Sequence, residues 1–412
     1  MVLRDLKIAD RLTAFAEGAG EAPRVLFYSH DTFGLGHLRR SRALATAITE
    51  TYPSISSIIL TGSPVAGRFT FPAGVDHVRL PGVTKNSAGQ YVSQTAGLDI
   101  DQATELRSGI IRSVTENYRP DLLIVDKEPT GFRGELLPAL EWLQENTQCK
   151  LVLGLRDVLD SPETLRAEWA RKGATEATEK FYHEIWIYGL QDIYDPTEAL
   201  PLSPACRARM HWTGYLRRDT VPVAAQEGDP YILVTTGGGG DGANLVDMVI
   251  SAYEQDPTLE PRAALVYGPF LSGPVREDFE RRIARLDGRV RTVGFESQIE
   301  SLYAGAQGVI AMGGYNTFCE ILSFDKPAVV VPRTFPRMEQ YIRASRAEAL
   351  SLIRMLDEHR DGFTPEAMIA AIRGLATQPP PSAGHYEGLL GGLEEVTRRT
   401  GVLLPQLAKA AP

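Results

Sequence analysis

The sequence has few cysteines, no long apolar run and no excess of positive charge, and each absence argues against a class of protein. Its three cysteines, Cys149, Cys206 and Cys319, are far apart and lack metal spacing. We therefore expect no disulfide framework and a reduced, cytoplasmic compartment. No run of about 18 apolar residues occurs, so no membrane span is expected. The net charge of −9 lacks the basic bias of nucleic-acid binders, so no nucleic-acid partner is expected.

The chain is long enough for two domains. At 412 residues it exceeds one ordinary core. Short apolar runs alternate with helix-like segments, which is typical of parallel sheets covered by helices on both faces. We predict an α/β protein with two Rossmann-like, doubly wound domains facing a cleft. The predicted parts are an N-terminal extension at 1–22, a first domain at 23–214, a linker at 215–230, a second domain at 231–380 and a final segment at 381–412.

The extension has apolar residues at loosely helical spacing, including Val2, Leu6, Leu12 and Phe15. A helix packed on its own domain and a helix that contacts a partner or the inner membrane face are both consistent with this spacing. It carries charges from Arg4 onward and lacks the apolar core of a signal peptide.

The first glycine-rich segment directly follows the strand-like run 24–29. It reads His30-Asp31-x-x-Gly34-x-Gly36-His37, and its glycines allow a tight strand-to-helix turn. His37 can accept a proton from a hydroxyl or donate a hydrogen bond to a phosphate. Asp31 can orient an imidazole, contact a substrate or cap the turn.

Basic residues come next. Arg39 occupies the place of the third glycine of a dinucleotide fingerprint, which argues against that fingerprint here. We expect Arg39, Arg40 and Arg42 on a solvated helix face, with contact to a phosphate as the alternative.

A cluster of charges follows the apolar run 121–126. Asp126, Lys127 and Glu128 stand at the expected cleft end of a strand. Asp126 can act as a second base or can orient His37, provided that the two loops lie side by side. A purely charge-paired loop is the alternative.

The third segment, Gly313-Gly314-Tyr315-Asn316-Thr317, lies between an apolar run and a helix-like run. Its glycines allow close approach of a ligand, and the free N–H groups of the helix start suit a phosphate. Glu320 falls about two turns into the helix, where a carboxylate can bind ribose hydroxyls. Asn316 and Thr317 can cap the helix or reach a diphosphate.

These motifs resemble those of GT-B glycosyltransferases of family 28, the family of the peptidoglycan lipid-linked N-acetylglucosamine transferase. The same His-Asp-x-x-Gly-x-Gly-His and Gly-Gly-Tyr-Asn-Thr elements occur in bacterial proteins described as predicted glycosyltransferases. The resemblance spans roughly residues 24–350. It implies a nucleotide-sugar site in the second domain, an acceptor site in the first and a final helix that packs back on the first domain.

The resemblance also assigns residues to roles. Glu320 matches the ribose-binding Glu of the family, His37 its loop His and Gln340 a Gln facing the donor sugar, whereas Arg343 replaces the Asn of the family. Catalytic candidates are His37, Asp126 and Asp31. Candidates for the nucleotide-sugar site are Gly237, Gly238, Phe295, Gly313, Gly314, Asn316, Thr317, Glu320 and Gln340.

The implied reaction is sugar transfer with inversion from a nucleoside diphosphate sugar, most simply a UDP-sugar, to a small-molecule, lipid or glycan acceptor. No cofactor or metal is expected, since the loops carry no Asp-x-Asp motif. Three alternatives stay open: a non-hydrolysing sugar-nucleotide 2-epimerase, a non-catalytic sugar-nucleotide binder, and a dinucleotide site at Gly237-x-Gly239-x-x-Gly242 with Glu254 as its acidic residue.

Overall fold

The computed structural model describes residues 22–30, 36–86, 90–218, 229–237, 242–268, 271–293 and 299–409. Three of the candidate site residues, Asp31, Gly238 and Phe295, lie outside these ranges, as does the N-terminal extension up to residue 21. Within the described ranges, no helix is both long enough and apolar enough to cross a membrane.

The N-terminal half is built on one parallel sheet. Its strands are β1 (Arg24–Ser29), β2 (Ser56–Thr61), β3 (Val75–Arg79), β4 (Val83–Lys85), β5 (Tyr91–Ser93), β6 (Leu122–Asp126), β7 (Lys150–Arg156), β8 (Glu184–Tyr188) and β9 (Met210–Trp212). Seven of them form the sheet in the order β3-β2-β1-β6-β7-β8-β9. All five residues of β6 are buried, because helices cover both faces of the sheet. The remaining strands, β4 and β5, pair as an antiparallel hairpin that the sequence did not predict.

The helices of this half include one with a well-defined start. They are α1 (Gly36–Thr51), α2 (Ile100–Tyr118), α3 (Leu137–Asn146), α4 (Pro162–Lys172), α5 (Ala174–Phe181) and α6 (Pro204–Arg207). The Asp99 side chain accepts hydrogen bonds from the backbone N–H groups of Asp101 and Gln102, and the Gln102 side chain binds the Asp99 N–H in return. This capping box fixes the start of α2.

The C-terminal half repeats the plan. Its strands are β10 (Tyr231–Thr235), β11 (Arg262–Val266), β12 (Val290–Val293), β13 (Gly308–Ala311), β14 (Ala328–Val330) and β15 (Arg354–Met355). They form a second parallel sheet in the order β12-β11-β10-β13-β14-β15. Its helices are α7 (Ala243–Gln255), α8 (Gly273–Ile283), α9 (Glu300–Gly305), α10 (Tyr315–Ser323), α11 (Glu339–Ala349), α12 (Glu358–Asp361) and α13 (Pro365–Gly374).

The chain returns to the N-terminal half at its end. Helix α14 (Gly392–Leu403) packs on α1, and the Arg399 guanidinium pairs with Glu184 at the start of β8. Backbone hydrogen bonds join Tyr215 to Leu389 and Gly392, so the two connections between the halves run side by side.

The fold class expected from the sequence is confirmed: two Rossmann-like domains of parallel sheet covered by helices. In each sheet the strand order reverses once, between β1 and β6 and between β10 and β13. Ligands of doubly wound sheets bind beyond the carboxyl ends of the strands at such a reversal. His37, Gly237 and Gly313 follow three of those strands, and Asp126 is the last residue of the fourth, β6.

Candidate active site

The two reversal points face each other across the cleft and are in direct contact. The Asn316 side-chain amide donates to the carbonyl oxygen of Gly36 at 3.1 Å, and Arg39 Nη2 donates to Glu320 Oε1 at 2.5 Å. The start of α1 therefore lies against α10.

On the N-terminal side, His37 and Asp126 lie side by side. His37 Nδ1 is 2.5 Å from Asp126 Oδ2. Arg40, one turn after His37 on α1, donates from Nε to Asp126 Oδ1 at 2.8 Å and from Nη2 to Oδ2 at 2.7 Å. The Asp126 carboxylate is therefore bound by two side chains from the first turn of α1, those of His37 and Arg40.

The protonation states of this cluster follow from its charges. Burial raises the pKa of Asp126, but Arg40 and His37 outweigh it and hold that pKa well below its usual range. Burial lowers the pKa of His37 to about 4, against the opposing effect of Asp126. At neutral pH the pair is therefore carboxylate and neutral imidazole. The imidazole proton is on Nδ1, facing Asp126, and Nε2 is a base.

A second buried ion pair supports the first. Arg107 on α2 donates from Nε and Nη2 to the two oxygens of Glu135, each at 2.6 Å, and both side chains are fully buried. The Tyr28 hydroxyl donates to Glu135 Oε1 at 2.7 Å. His30 lies between Tyr28 and His37, with its ring centroid 5.6 Å from that of His37. The network therefore reaches the candidate base through ring contacts.

On the C-terminal side, the start of α10 is shaped for a close ligand. Gly313 has φ +77, and a Cβ there would lie 2.5 Å from Cγ1 of Val330, so only glycine fits. Gly314 is the N-cap, and no side chain caps the helix. The capping role considered for Asn316 and Thr317 is therefore wrong, and the first N–H groups of α10 have no side-chain cap.

Asn316 connects elements instead. While its amide nitrogen binds Gly36, its Oδ1 accepts from Arg218 Nη2 at 2.6 Å. Thr317 is buried at the same junction. Both residues lie in the first turn of α10, but the nitrogen and the oxygen of the Asn316 amide are each already engaged in a hydrogen bond.

Glu320 is buried, with 1% of its surface exposed, and its partner is Arg39 from the N-terminal half. Arg40 is 2% exposed. The expectation of a solvated helix face is therefore wrong for Arg39 and Arg40. Helical spacing alone could not reveal that this face of α1 is covered by the other half of the chain.

Gln340 is the second residue of α11, directly after the loop that follows β14. Gln340 is buried and accepts from the Arg333 backbone N–H at 3.2 Å, while Arg333 Nη2 donates to Glu339 at 2.8 Å. In the other glycine-rich loop, Gly237 has φ +67 and lies near Thr317 Oγ1. The described residues that are predicted to bind the nucleotide sugar therefore follow the carboxyl ends of strands of the second sheet.

Arg343, which replaces the Asn of the family, joins the two halves. It donates from Nε and Nη2 to the two oxygens of Asp157 at 2.7 and 2.6 Å, and from Nη1 to the Gly313 carbonyl at 3.0 Å. Arg337 reaches across to Asp160 and Glu168 at 3.1 Å. The sequence did not predict these bridges, since charged residues far apart in the chain give no signal of pairing.

The acidic residue of the dinucleotide alternative lies elsewhere. Glu254 is exposed on α7 and pairs with Arg282 of α8. Over the described part of the chain, no group of three or more His, Cys, Asp or Glu side chains is arranged to hold a metal ion.

Comparisons with known proteins agree with this architecture. Residues 231–383 match the glycosyltransferase family 28 C-terminal domain. No curated protein sequence matches the chain. Among solved structures, the calicheamicin glycosyltransferase CalG4 is 15% identical with a TM-score of 0.57, and 95% of this chain covers 100% of that one.

Two further structures are similar over more than nine-tenths of the chain. MurG of Acinetobacter baumannii is 12% identical, with a TM-score of 0.56 and coverage of 92% of this chain and 98% of that one. A putative UDP-N-acetylglucosamine 2-epimerase of Listeria monocytogenes is 14% identical, with a TM-score of 0.60 and coverage of 94% and 97%. At these identities the likenesses show the fold, which is GT-B, and the family match covers residues 231–383.

Proposed function

We propose that this GT-B glycosyltransferase, whose residues 231–383 form a family 28 C-terminal domain, transfers a sugar with inversion from a nucleoside diphosphate donor to an acceptor hydroxyl. A UDP-sugar is the donor that the resemblance favours. The observation that carries the proposal is the His37–Asp126 pair, 2.5 Å apart, on the opposite side of a domain junction from the uncapped start of α10.

The acceptor side works by general base catalysis. Nε2 of neutral His37 accepts the proton of the acceptor hydroxyl as its oxygen attacks the anomeric carbon. Asp126 stabilises the imidazolium that forms and keeps the Nδ1 proton in place. Arg40 holds Asp126 ionised, since it binds both carboxylate oxygens.

The donor side stabilises the leaving group. The bond between the anomeric carbon and the diphosphate oxygen breaks, and the electron pair stays on that oxygen. The free N–H groups and the positive dipole end of α10 stabilise the negative charge on that oxygen. Glu320 binds the ribose hydroxyls, for which Arg39 must release its carboxylate.

A 2-epimerase remains distinguishable by its reaction. It needs no acceptor and must move a proton at a sugar carbon, whereas transfer needs an acceptor hydroxyl and leaves the sugar carbons protonated as they were. Conversion of the donor to its 2-epimer without an acceptor would contradict the proposal.

Nucleotide binding should depend on Glu320. The melting temperature of the wild type is measured with UDP, GDP, dTDP, ADP, NAD and NADP. We expect UDP to raise it, because a ligand that binds the native state stabilises that state by mass action. Glu320→Ala should abolish the shift. Arg39→Gln should keep or enlarge it, since it removes the competitor of the ribose.

Glu277→Ala is the matched control, because Glu277 is an exposed carboxylate on α8 of the same half. It should shift as the wild type does. A shift with NAD and none with any nucleoside diphosphate would contradict the proposed function.

A further inference from the structure

His30 is a buried polar ring beside the candidate base, and the reaction proposed above gives it no role. It lies directly after β1 and has 7% of its surface exposed. Three rings surround its imidazole. Their centroids are 6.3 Å away for Tyr28, 6.5 Å for Phe132 and 5.6 Å for His37.

Tyr28 fixes which nitrogen of His30 carries the proton. The Tyr28 hydroxyl donates to Glu135 Oε1 at 2.7 Å, and burial together with Glu135 raises the pKa of that hydroxyl well above its usual value. Because a carboxylate is the stronger acceptor, the phenol proton stays on the side of Glu135. The same oxygen lies 3.5 Å from His30 Nδ1 and therefore accepts from Nδ1–H. Nε2 of His30 is left with the lone pair.

The residues behind Tyr28 form one buried network. The Tyr28 oxygen also accepts from the Phe132 backbone N–H at 2.9 Å. Both oxygens of Glu135 are bound by Arg107, whose guanidinium lies 5.8 Å from the centroid of the Phe132 ring. The hydroxyl that binds His30 and one of the rings that pack on it are therefore held by the same ion pair.

On its other side, His30 contacts His37. The two rings meet edge to face, with an interplanar angle of 82°. Asp126 binds His37 at Nδ1, and a hydrogen bond at one atom lets an imidazole tilt about that atom. A ring packed against its face or edge removes this freedom and keeps water away from it.

We propose that His30 is a positioning residue for His37. Held by Tyr28, it packs against the His37 ring, keeps Nε2 of His37 aimed at the acceptor hydroxyl and excludes water from the imidazole. The aim of Nε2 rests on the proposed function, whereas the packing and the exclusion of water can be measured without turnover. A misplacement of about 1 Å at a reacting group costs up to about 10²-fold in rate, which is why such support matters.

The pKa values of both imidazoles depend on this packing. Burial has the largest effect on each and lowers both pKa values, that of His37 to about 4. Charged groups that act on the two rings come from α1, from the end of β6 and the loop after it, and from α4: Arg40, Asp126, Lys127, Glu128 and Lys172. Removing the neutral ring of His30 leaves these charges in place but admits water, so the pKa of His37 should rise.

The first test follows the His37 imidazole by NMR in protein that carries isotope-labelled histidine. Loss of its signals in His37→Gln identifies them. In the wild type we expect both His30 and His37 as neutral Nδ1–H tautomers at neutral pH. In His30→Ala the pKa of His37 should rise from about 4 toward its usual 6.5. His30→Phe keeps a ring in place and should leave that pKa low.

The second test measures turnover of the donor. His30→Ala should lower kcat by about 10- to 100-fold and leave KM for the donor unchanged, because the nucleotide site lies in the other half. His30→Phe should retain more of the rate than His30→Ala. Tyr28→Phe should release His30 from the Nδ1–H tautomer and lower kcat as well. His359→Ala, at an exposed position on α12, is the control and should behave as the wild type.

The outcomes separate positioning from a merely structural role. A His37 pKa that stays near 4 in His30→Ala, or an Nε2–H tautomer of His30 in the wild type, would overturn the proposal. If His30→Ala does not fold, an unchanged His30 tautomer in Tyr28→Phe overturns it instead. If the wild type turns over no donor, the proposed function fails by itself, and the NMR titration still decides whether His30 packs on His37 as proposed.

Discussion

His37→Gln should lower the rate of sugar transfer by about 10²- to 10⁴-fold, the usual contribution of a positioned general base. Glutamine keeps the polarity of the site but cannot accept the proton. Nucleotide binding should be unchanged, because His37 lies on the acceptor side. The rate is measured as release of nucleoside diphosphate from the donor sugar, with acceptor alcohols or water as the nucleophile.

The pH profile identifies the base. Because burial lowers the pKa of His37 to about 4, the imidazole is neutral through the whole neutral range. The profile of kcat/KM should be flat there and should fall only as the pH drops toward 4, where the protonated ring can no longer accept a proton. A limb near pH 6.5 would contradict the buried pair. His359→Gln, at an exposed position on α12, is the control and should retain the wild-type rate and profile.

Arg107→Met should cost about 3–5 kcal/mol of unfolding free energy, the usual effect of removing one partner of a buried ion pair. Glu135 would lose its cationic partner in a fully buried position, where, among the described side chains, only the Tyr28 hydroxyl would still donate to it. The backbone carbonyl of Pro81 would also lose its hydrogen bond from Arg107 Nη1. Urea unfolding of both variants and of the wild type measures the change.

The control for this variant lies on the same helix. Arg112 pairs with Glu116 one turn on, with 53% of the arginine side chain exposed. Arg112→Met should cost only about 0–1 kcal/mol, because solvent screens such a pair. Equal losses in the two variants would show that the buried pair does not stabilise the fold as proposed.

The strands of the two parallel sheets could be predicted because buried strands are short runs of apolar residues. The strand-like run 24–29 is strand β1, and the apolar run 121–126 contains strand β6, since each is a short apolar run between polar segments. Helix α2 begins at Ile100, because the Asp99 capping box sets that boundary. The β4–β5 hairpin was missed, since its short strands are only partly buried.

The site was partly predictable for a topological reason. Parallel strands end at the same edge of a sheet, so the loops after β1 and β6 had to be neighbours, and His37 lies beside Asp126. The roles of Arg40 and Arg343 were not predictable. Arg40 depends on the helical turn that places it over Asp126, and Arg343 on a residue of the other half.

A structure of the chain with the nucleoside diphosphate that binds best tests the central claim most directly. The account predicts the diphosphate at the N-terminus of α10, against the N–H groups that follow Gly314. The ribose hydroxyls should bind Glu320, with Arg39 displaced from its carboxylate. A nucleotide bound outside this junction, or Glu320 still paired with Arg39 in the complex, would contradict the account.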